Sequence, residues 1–266
     1  MKNAMNSLKL DQQTIVTILF GVILVVFAFW LPGFTSTGNL LALVRSVSVL
    51  GILGLGMAIV VIGRGIDLSM IATLAVPASL VMTLAAAGYH PAIALFAGLL
   101  FAIASGVLNG VLVAYAEIPA LFTTLAVGIG IAGIGQSGIF EYDIIAWPPA
   151  LNSLAWIGRG TLFGLPYSIL AFAVAALMVH IFLKKTRLGF FIYAIGDNMS
   201  AARISGIRVR PIIILQYVLC AVIALFAGLV LAASSNSMDT RIFNLTWIYD
   251  VILVVVLGGI GLSGGR

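Results

Sequence analysis

The chain has 266 residues, of which 62% are hydrophobic and 8% are charged. Soluble domains carry about 25% charged residues, so the composition excludes a soluble domain and predicts an all-α integral membrane protein. A net charge of +5 would suggest nucleic-acid binding in a soluble chain. Here it reflects where the basic residues lie relative to the bilayer, and we expect no nucleic-acid partner.

Eight segments are apolar over about the 20 residues that a helix needs to cross the hydrocarbon core. We predict about eight transmembrane helices in a single domain, residues 1–266. The first segment follows Lys2 and Lys9, as in a signal peptide, but it is long and lacks a clear cleavage site, so we expect a retained helix. The fifth and eighth are short, which tilting, a break or extension by neighbouring residues would explain. The predicted spans are Thr14–Leu31, Leu40–Ile62, Ser69–Ala87, Pro91–Tyr115, Leu121–Gln136, Pro166–Leu183, Ile212–Ala233 and Tyr249–Leu262.

Basic residues are distributed unevenly between the two sides of the predicted spans. With the N-terminus in the cytoplasm, the outer loops hold only Arg159 and Arg241. The excess on the inner side agrees with the positive-inside rule. Arg45 lies within the second span near its outer end, from which its side chain can snorkel to the interface. The inner basic residues are Lys2, Lys9, Arg64, Lys184, Lys185, Arg187, Arg203, Arg208 and Arg210.

Two connecting segments are too polar to cross the bilayer. Residues 184–211 hold six of the 13 Lys and Arg residues and a single acid, Asp197. This segment is predicted to be a cytoplasmic docking loop, with binding of lipid headgroups as the alternative. Residues 137–165 are rich in Trp, Pro and Gly and are predicted to form an outer loop with short interfacial helices. Aromatic side chains suited to the interface are Tyr142, Trp147 and Trp156.

Polar side chains within or beside the spans are candidates for a solute route. Asp67 follows the Gly-rich break Gly63–Ile66, and an ionisable group at membrane depth signals a pathway or a pairing. Arg64 could pair with Asp67 or with a partner subunit, while an N-cap by Asp67 is the alternative. Each of the other positions could line a pathway or simply bond a neighbouring helix. They are Ser69, Asn109, Thr123, Thr124 and Gln136.

Three short motifs look like known sites. Gly128–Gly133 has the letters of a dinucleotide fingerprint, but it lies in an apolar span without a preceding strand, which favours close helix packing instead. Gly106–Gly110 has the small-xxx-small spacing of helix contacts. Leu262–Arg266 resembles the signature of transport ATPases, yet the sequence contains no Gly-x-x-x-x-Gly-Lys-Ser/Thr loop. We therefore expect no ATP site on this chain.

The sequence offers no catalytic or metal-binding constellation. Cys220 is the only cysteine, which excludes an intramolecular disulfide and a thiolate cluster and indicates a small core residue. His90 and His180 lie at span ends without a carboxylate partner in the sequence pattern. We expect no catalytic residue, no metal ligand and no cofactor bound by this chain, which argues against an intramembrane enzyme. A secondary transporter of a small polar solute remains an alternative, although no convincing repeat and few intramembrane acids support it.

Short motifs follow one another along nearly the whole chain, in this order: Arg64–Ser69, Asn109–Gly110, Pro119 with Thr124–Leu125, Thr186–Gly189, Ala194–Asn198, Ala201–Ile207, Asp250, Leu257–Gly259 and Ser263–Gly265. Together they resemble the permease subunits of bacterial ribose-type monosaccharide ABC importers. The family usually has Gly-Gly-Ile-Asp-Leu-Ser-Val-Gly, whereas here Arg64 replaces the first Gly. The chain also ends at Arg266 within a motif that family members continue, so we expect it to lack the last spans of the family fold.

This resemblance implies the permease subunit of an ATP-driven sugar importer in the bacterial inner membrane, without an ATPase site of its own. Its partners would be a second permease subunit, the same or paralogous, a periplasmic sugar-binding protein and cytoplasmic ATP-binding subunits that use ATP and Mg. The solute would pass between the permeases by alternating access. The resemblance assigns ATPase coupling to Gly196, Asn198, Ala201, Ala202, Arg203, Ser205 and Gly206.

Overall fold

The computed structural model describes residues 12–139, 143–241 and 247–261. Apolar helices lie at the positions of all eight predicted spans, which confirms the all-α membrane class. In chain order the helices are α1 Gln12–Trp30, α2 Thr37–Ile62, α3 Met70–Ala86, α4 Pro91–Ala114, α5 Ala120–Ile134, α6 Trp156–Arg159, α7 Tyr167–Lys185, α8 Arg187–Asp197, α9 Met199–Ile204, α10 Val209–Ser235 and α11 Trp247–Leu257.

Five of the described helices are long and apolar enough to cross a bilayer by themselves: α2, α4, α7, α10 and an extended α5. A π-helical turn, Gly135–Ile139, continues α5 and brings the composite helix to 20 residues. The short fifth span is therefore extended by its neighbours. Helices α3 and α11 have 17 and 11 residues, and the apolar part of α1 is Thr14–Trp30.

Helix α10 forms the centre of the bundle and packs against α2, α3 and α4. Its approach to α4 is close because two glycines face it. A Cβ atom on Gly106 would lie 2.6 Å from the Cα of Val218, and one on Gly110 would lie 2.5 Å from the Cα of Ile214. Contacts this short would force the helices apart, so the predicted helix contact at Gly106–Gly110 is confirmed.

The glycines of α5 behave differently from one another. A Cβ atom on Gly128 would lie 3.0 Å from the Cα of Ser69, which confirms close packing at that position. Gly130 and Gly133 lie on the exposed face of the helix, with no atom within 4 Å of an added Cβ. The prediction of close packing is wrong for these two glycines, because that face of α5 meets no other described part of the chain.

The two ends of the bundle are identified by contacts between distant segments. At one end, which we call the basic end, Arg64 bonds to the last turn of α8, and Arg210 forms an ion pair with Glu117 at 3.3 Å. At the opposite end, strand β1, Ile144–Ala146, pairs antiparallel with a later strand, Ser237–Asp239. These contacts bring together the span ends that the sequence predicts to share one side. Which end faces the cytoplasm remains a prediction.

The predicted outer loop, residues 137–165, contains short strands as well as short helices. Beside β1 and α6 it has a 3₁₀ helix, Pro149–Leu154, and a hairpin of β2 Thr161–Leu162 with β3 Leu165–Pro166. The later strand Ser237–Asp239 is β4. The short helices agree with the prediction, whereas the strands were not predicted.

The aromatic residues of this segment have different environments. Trp156 is exposed, as expected for an interfacial residue, but Trp147 is buried. Trp147 extends the β1–β4 pairing by donating its backbone N–H to the carbonyl of Asn236 at 2.9 Å, and the Arg159 guanidinium lies over its ring at 5.8 Å. Tyr142 lies outside the described residues.

Residues 184–211, the predicted docking loop between two spans, are mostly helical. Helix α7 continues to Lys185, α8 and α9 follow, and α10 begins at Val209. The Thr186 Oγ1 accepts the backbone N–H of Gly189 at 3.1 Å, and the Asn198 Oδ1 accepts that of Ala201 at 3.0 Å. Each side chain caps the start of a helix, so α8 and α9 begin as two separate short helices.

Candidate functional site

Four of the predicted pathway residues meet in one place, where the α2–α3 loop reaches α4 and α5. We call Asp67, Ser69, Asn109 and Thr124 the polar cluster; all four are buried. The Ser69 Oγ donates to the Asp67 carboxylate, and the Asn109 Nδ2 donates to the Ser69 Oγ at 2.7 Å. Thr124 Oγ1 accepts the backbone N–H of Leu68 at 3.0 Å. The cluster therefore joins three segments that the sequence keeps far apart.

Asp67 stabilises the loop rather than capping the first turn of α3. Its Oδ1 accepts the backbone N–H of Ser69 at 2.9 Å, two residues along the chain, in addition to the Ser69 hydroxyl. Burial raises the pKa of this carboxyl, and the hydrogen bonds from Ser69 oppose that shift. Arg64 does not pair with Asp67 in the described structure, because its side chain points away toward α8.

Two buried polar atoms beside this loop lack a hydrogen-bond partner among the described residues. They are the Oδ1 of Asn109 and the Nε2 of Gln216. Gln216 lies against Gly63, where an added Cβ would be 2.3 Å from that Nε2, and its neighbour Tyr217 donates to the carbonyl of Ile66 at 3.4 Å. A buried polar atom without a partner costs free energy. These two atoms are therefore available to form further hydrogen bonds in and beside the polar cluster.

Two other predicted polar residues are not joined to the cluster. Thr123 is buried, but its hydroxyl donates to the carbonyl of Ile118 at 3.4 Å at the start of its own helix. Gln136 is exposed in the π-helical turn. The polar cluster itself is enclosed by the chain in this conformation. A role for any of these residues in translocation therefore remains a prediction, and it requires the helices around them to move.

An apolar groove of about 740 Å³ lies between α7 and α10. Trp156 and Tyr167 stand at one end of it, and the remaining lining consists of aliphatic and Phe side chains from α2, α6, α7 and α10. A sugar needs hydrogen-bond partners for its hydroxyl groups, and this lining provides very few. The groove is therefore a poor candidate for a sugar site.

The residues predicted for ATPase coupling divide into an inward and an outward set. Gly196 and Ala202 are buried, and Ala202 is only 3% exposed. The outward set consists of Asn198, Ala201, Arg203, Ser205 and Gly206. Beside them Ile204, which was not predicted as a coupling residue, is 88% exposed. Helix α9 thus packs against the bundle through Ala202 and exposes the apolar side chain of Ile204 on its other face.

An arginine connects this segment to the loop that carries the polar cluster. The Arg64 Nε donates to the carbonyl of Gly196 at 2.6 Å, and its Nη2 donates to that of Asp197 at 2.7 Å. These are carbonyls of the last turn of α8, where a cation is favourable. Arg64 itself has φ +66°, a conformation that favours glycine. One signal for it was present in the sequence, namely an arginine in a Gly-rich turn where the resembled family has glycine.

The described residues contain no group of three or more His, Cys, Asp or Glu side chains that could hold a metal ion. Cys220 is buried in α10, in agreement with the prediction of a core residue. The arrangement places hydrogen-bonding groups inside the bundle and basic groups at one end of it. Its parts are a buried polar cluster, a projecting short helix and an arginine that joins them.

Comparison with known proteins gives consistent matches. The galactofuranose transporter permease protein YtfT of Escherichia coli is 33% identical over 231 residues, which cover 86% of this chain and 66% of that protein. The ribose import permease protein RbsC of Escherichia coli is 29% identical over 258 residues, 97% of this chain and 79% of that protein. Its counterpart in Bacillus subtilis is 30% identical over 258 residues, 92% and 76%. No solved structure matches the chain.

A family model extends over almost all of the described bundle. It is described as "Branched-chain amino acid transport system / permease component" and matches residues 39–265. That range contains the polar cluster, α8, α9 and the Arg64 connection. The chain therefore belongs to this family of transport-system permease components.

Proposed function

We propose that this chain is the membrane-spanning permease subunit of an ATP-driven importer for a monosaccharide delivered by a periplasmic binding protein. The family description names branched-chain amino acids, but the relatives reported above are named for ribose and galactofuranose. The names of these relatives favour a sugar as the solute that this chain transports. The carboxylate, hydroxyl and amide groups of the polar cluster are also suited to binding sugar hydroxyls once the cluster opens.

Helix α9 is the observation that carries the proposal. A six-residue helix, capped by Asn198 and held from inside by Ala202, projects a nearly fully exposed Ile204 at the basic end of the bundle. An exposed apolar side chain beside charged and polar groups, on a helix whose other face is anchored, is suited to fill a pocket on a partner. We infer that this surface fits a groove on the cytoplasmic ATP-binding subunit.

The proposed mechanism is alternating access without covalent chemistry on this chain. Movement of the ATP-binding subunits displaces α9 and α8. Since Arg64 bonds α8 and lies three residues before Asp67, the displacement reaches the polar cluster directly. The solute then passes between this chain and a second permease subunit, the same or paralogous. ATP and Mg are used by the partner, and no cofactor is bound here.

The proposed location is the bacterial inner membrane, with the N-terminus and the basic end in the cytoplasm. Because Cys220 is the only cysteine and is buried, single new cysteines can report sidedness. Phe163, 99% exposed in the β2–β3 hairpin, and Ala116, exposed at the basic end, are suitable positions. We expect a membrane-impermeant maleimide to label Phe163→Cys in spheroplasts and Ala116→Cys only after the membrane is opened. The reverse pattern would overturn the orientation.

The importer assignment is tested by purifying the tagged subunit in mild detergent from cells that also express its neighbouring reading frames, followed by mass spectrometry. We expect an ATP-binding subunit to be recovered with the wild-type chain. Ile204→Glu and Ala201→Glu place a charge in the packed interface and should abolish that recovery. Ala116→Glu is the matched control, since it puts the same charge at the same end outside α9, and it should retain the partner.

The possible outcomes distinguish the importer assignment from the assignment of α9 as the docking surface. No ATP-binding subunit with the wild-type chain, or with a version extended at its C-terminus, would contradict the importer and favour a secondary transporter. Equal recovery with Ile204→Glu and Ala116→Glu would keep the importer but overturn α9 as the docking surface.

A further inference from the structure

A cavity of about 440 Å³ lies at the basic end, between the end of α4 and the turn from α9 to α10. Half of its lining residues are arginines, and none is acidic. The lining residues are Tyr115, Arg203, Arg208, Val209, Arg210 and Pro211. Such a concentration of guanidinium groups around one space favours the binding of an anion.

Acidic residues of the chain neutralise only part of this positive charge. Arg210 forms an exposed ion pair with Glu117 at 3.3 Å and stacks over the ring of Tyr115 at 5.0 Å. Arg203 has one weak contact, from Nη2 to the Sδ of Met199 at 3.8 Å. Arg208 forms no ion pair or side-chain hydrogen bond within the described ranges. Two of the three guanidinium groups therefore face the cavity without an acidic partner among the described residues.

The cavity opens beside an apolar stripe on α4. Side chains spaced three to eight residues apart on one face of this helix are each at least 38% exposed, and the row ends at the cavity, where Arg210 lies over the ring of Tyr115. The stripe consists of Leu100, Leu108, Val111 and Tyr115. At 1.5 Å per residue it runs for about 22 Å, longer than the roughly 15 Å that one leaflet contributes to the hydrocarbon core.

We propose that this cavity binds the phosphate of an anionic phospholipid, whose acyl chains lie along the stripe of α4. Guanidinium groups bind phosphate oxygens in pairs, and Tyr115 lies where aromatic side chains meet the headgroup region. A free phosphate compound would use the arginines but not the stripe. A phospholipid matches both features at once, and basic pockets beside membrane helices are known to hold such headgroups.

The test measures lipid retained by the chain itself and does not depend on the transport assignment. The protein is extracted in mild detergent with whatever subunits remain bound, mixed with palmitoyl-oleoyl phosphatidylglycerol or phosphatidylcholine, and examined by native mass spectrometry. We expect retention of phosphatidylglycerol over phosphatidylcholine. The double variant Arg203→Gln with Arg208→Gln should lower the retained phosphatidylglycerol about tenfold or more, since two charge-assisted hydrogen bonds are lost.

The matched control removes two charges at the same end but outside the cavity. Lys185→Gln with Arg187→Gln changes exposed residues of α7 and α8 and should retain the lipid. Replacing Arg203 and Arg208 by lysine should restore part of the retention, because lysine keeps the charge but lacks the planar fork. Unchanged elution as a single species in size-exclusion chromatography verifies that each variant is folded.

Each other outcome overturns the proposal. Equal loss in the cavity and control variants would mean general attraction of the basic end to anionic lipid. Displacement of the lipid by excess inorganic phosphate, with equal stabilisation by phosphate alone, would assign the cavity to a soluble phosphate compound. Retention of both lipids alike, in every variant, would mean that the stripe binds acyl chains without the arginines.

Discussion

The polar cluster and the α8–α9 segment are stabilised in opposite ways. The cluster is buried, and its side chains bond to one another across the α2–α3 loop, α4 and α5. The α8–α9 segment lies at one end of the bundle, where side chains at Thr186 and Asn198 cap its helices and the apolar side chains of Ile192, Ile195 and Ala202 pack into the core. Arg64 is the described side chain that bonds from the loop of the first region to the second.

This difference indicates which region can move at low cost. Breaking a buried hydrogen bond leaves a desolvated polar group, whereas water can replace the exposed cap of α9 at Asn198. The start of α9 can therefore shift at lower cost than the polar cluster or α8, whose Ile192 and Ile195 are fully buried. A displacement of the α8–α9 segment therefore reaches the polar cluster only through side chains that connect the two regions.

The largest effect is expected at the centre of the cluster. Asp67→Ala leaves the backbone N–H and the hydroxyl of Ser69 buried without their acceptor, which we expect to cost about 2–5 kcal/mol. The measurement is the temperature at which half of the protein still elutes as a single species after heating. Asp67→Asn is the control, because it keeps the Oδ1 acceptor, and it should lose less than half as much stability. Equal losses would show that the charge matters rather than the hydrogen bonds.

A smaller effect is expected from cutting the connection between the regions. Arg64→Gly removes two hydrogen bonds to α8 but relieves the positive φ, so the net loss should be about 1–2 kcal/mol, or roughly 5- to 30-fold faster amide exchange in α8 and α9. Hydrogen-exchange mass spectrometry measures this. Amides of α4 and α5 next to the cluster should keep their protection. Equal acceleration in α4 would mean that the two regions open together.

The smallest effect is expected at the cap of α9. Asn198→Ala removes the acceptor for the backbone N–H of Ala201 and should cost about 1 kcal/mol, confined to α9. The same exchange experiment detects it. Thr186→Ala, which removes the corresponding cap of α8, is the matched variant and should accelerate α8 instead. If both variants accelerate both helices equally, α8 and α9 form one unit.

The spans could be predicted because membrane length and hydropathy are properties of the chain alone. The helix α8 was missed because its charges dominated the interpretation of residues 184–211. Its buried residues Gly189, Ile192 and Ile195 follow one another at intervals of three, a helical pattern that was present in the sequence. The extension of α5 by a π-helical turn was one of the explanations left open.

Other features depend on three-dimensional proximity and could not be predicted. Strands β1 and β4 pair across about ninety residues of chain, with Ile145 opposite Met238, and neither is long enough to show alternation. Asp67, Asn109 and Thr124 were each candidates, but a single sequence does not show that they converge. Their convergence follows from how α3, α4 and α5 pack, and the same packing hides them from the surface.

The position of Arg64 also has a genetic consequence. Every arginine codon lies a single base away from a glycine codon, and glycine is the residue that the left-handed backbone at this position favours. The connection between α8 and the polar cluster can therefore be gained or lost in one mutational step without disturbing the turn. Natural variants of this chain that carry glycine at position 64 would form a ready-made series for measuring what that connection contributes.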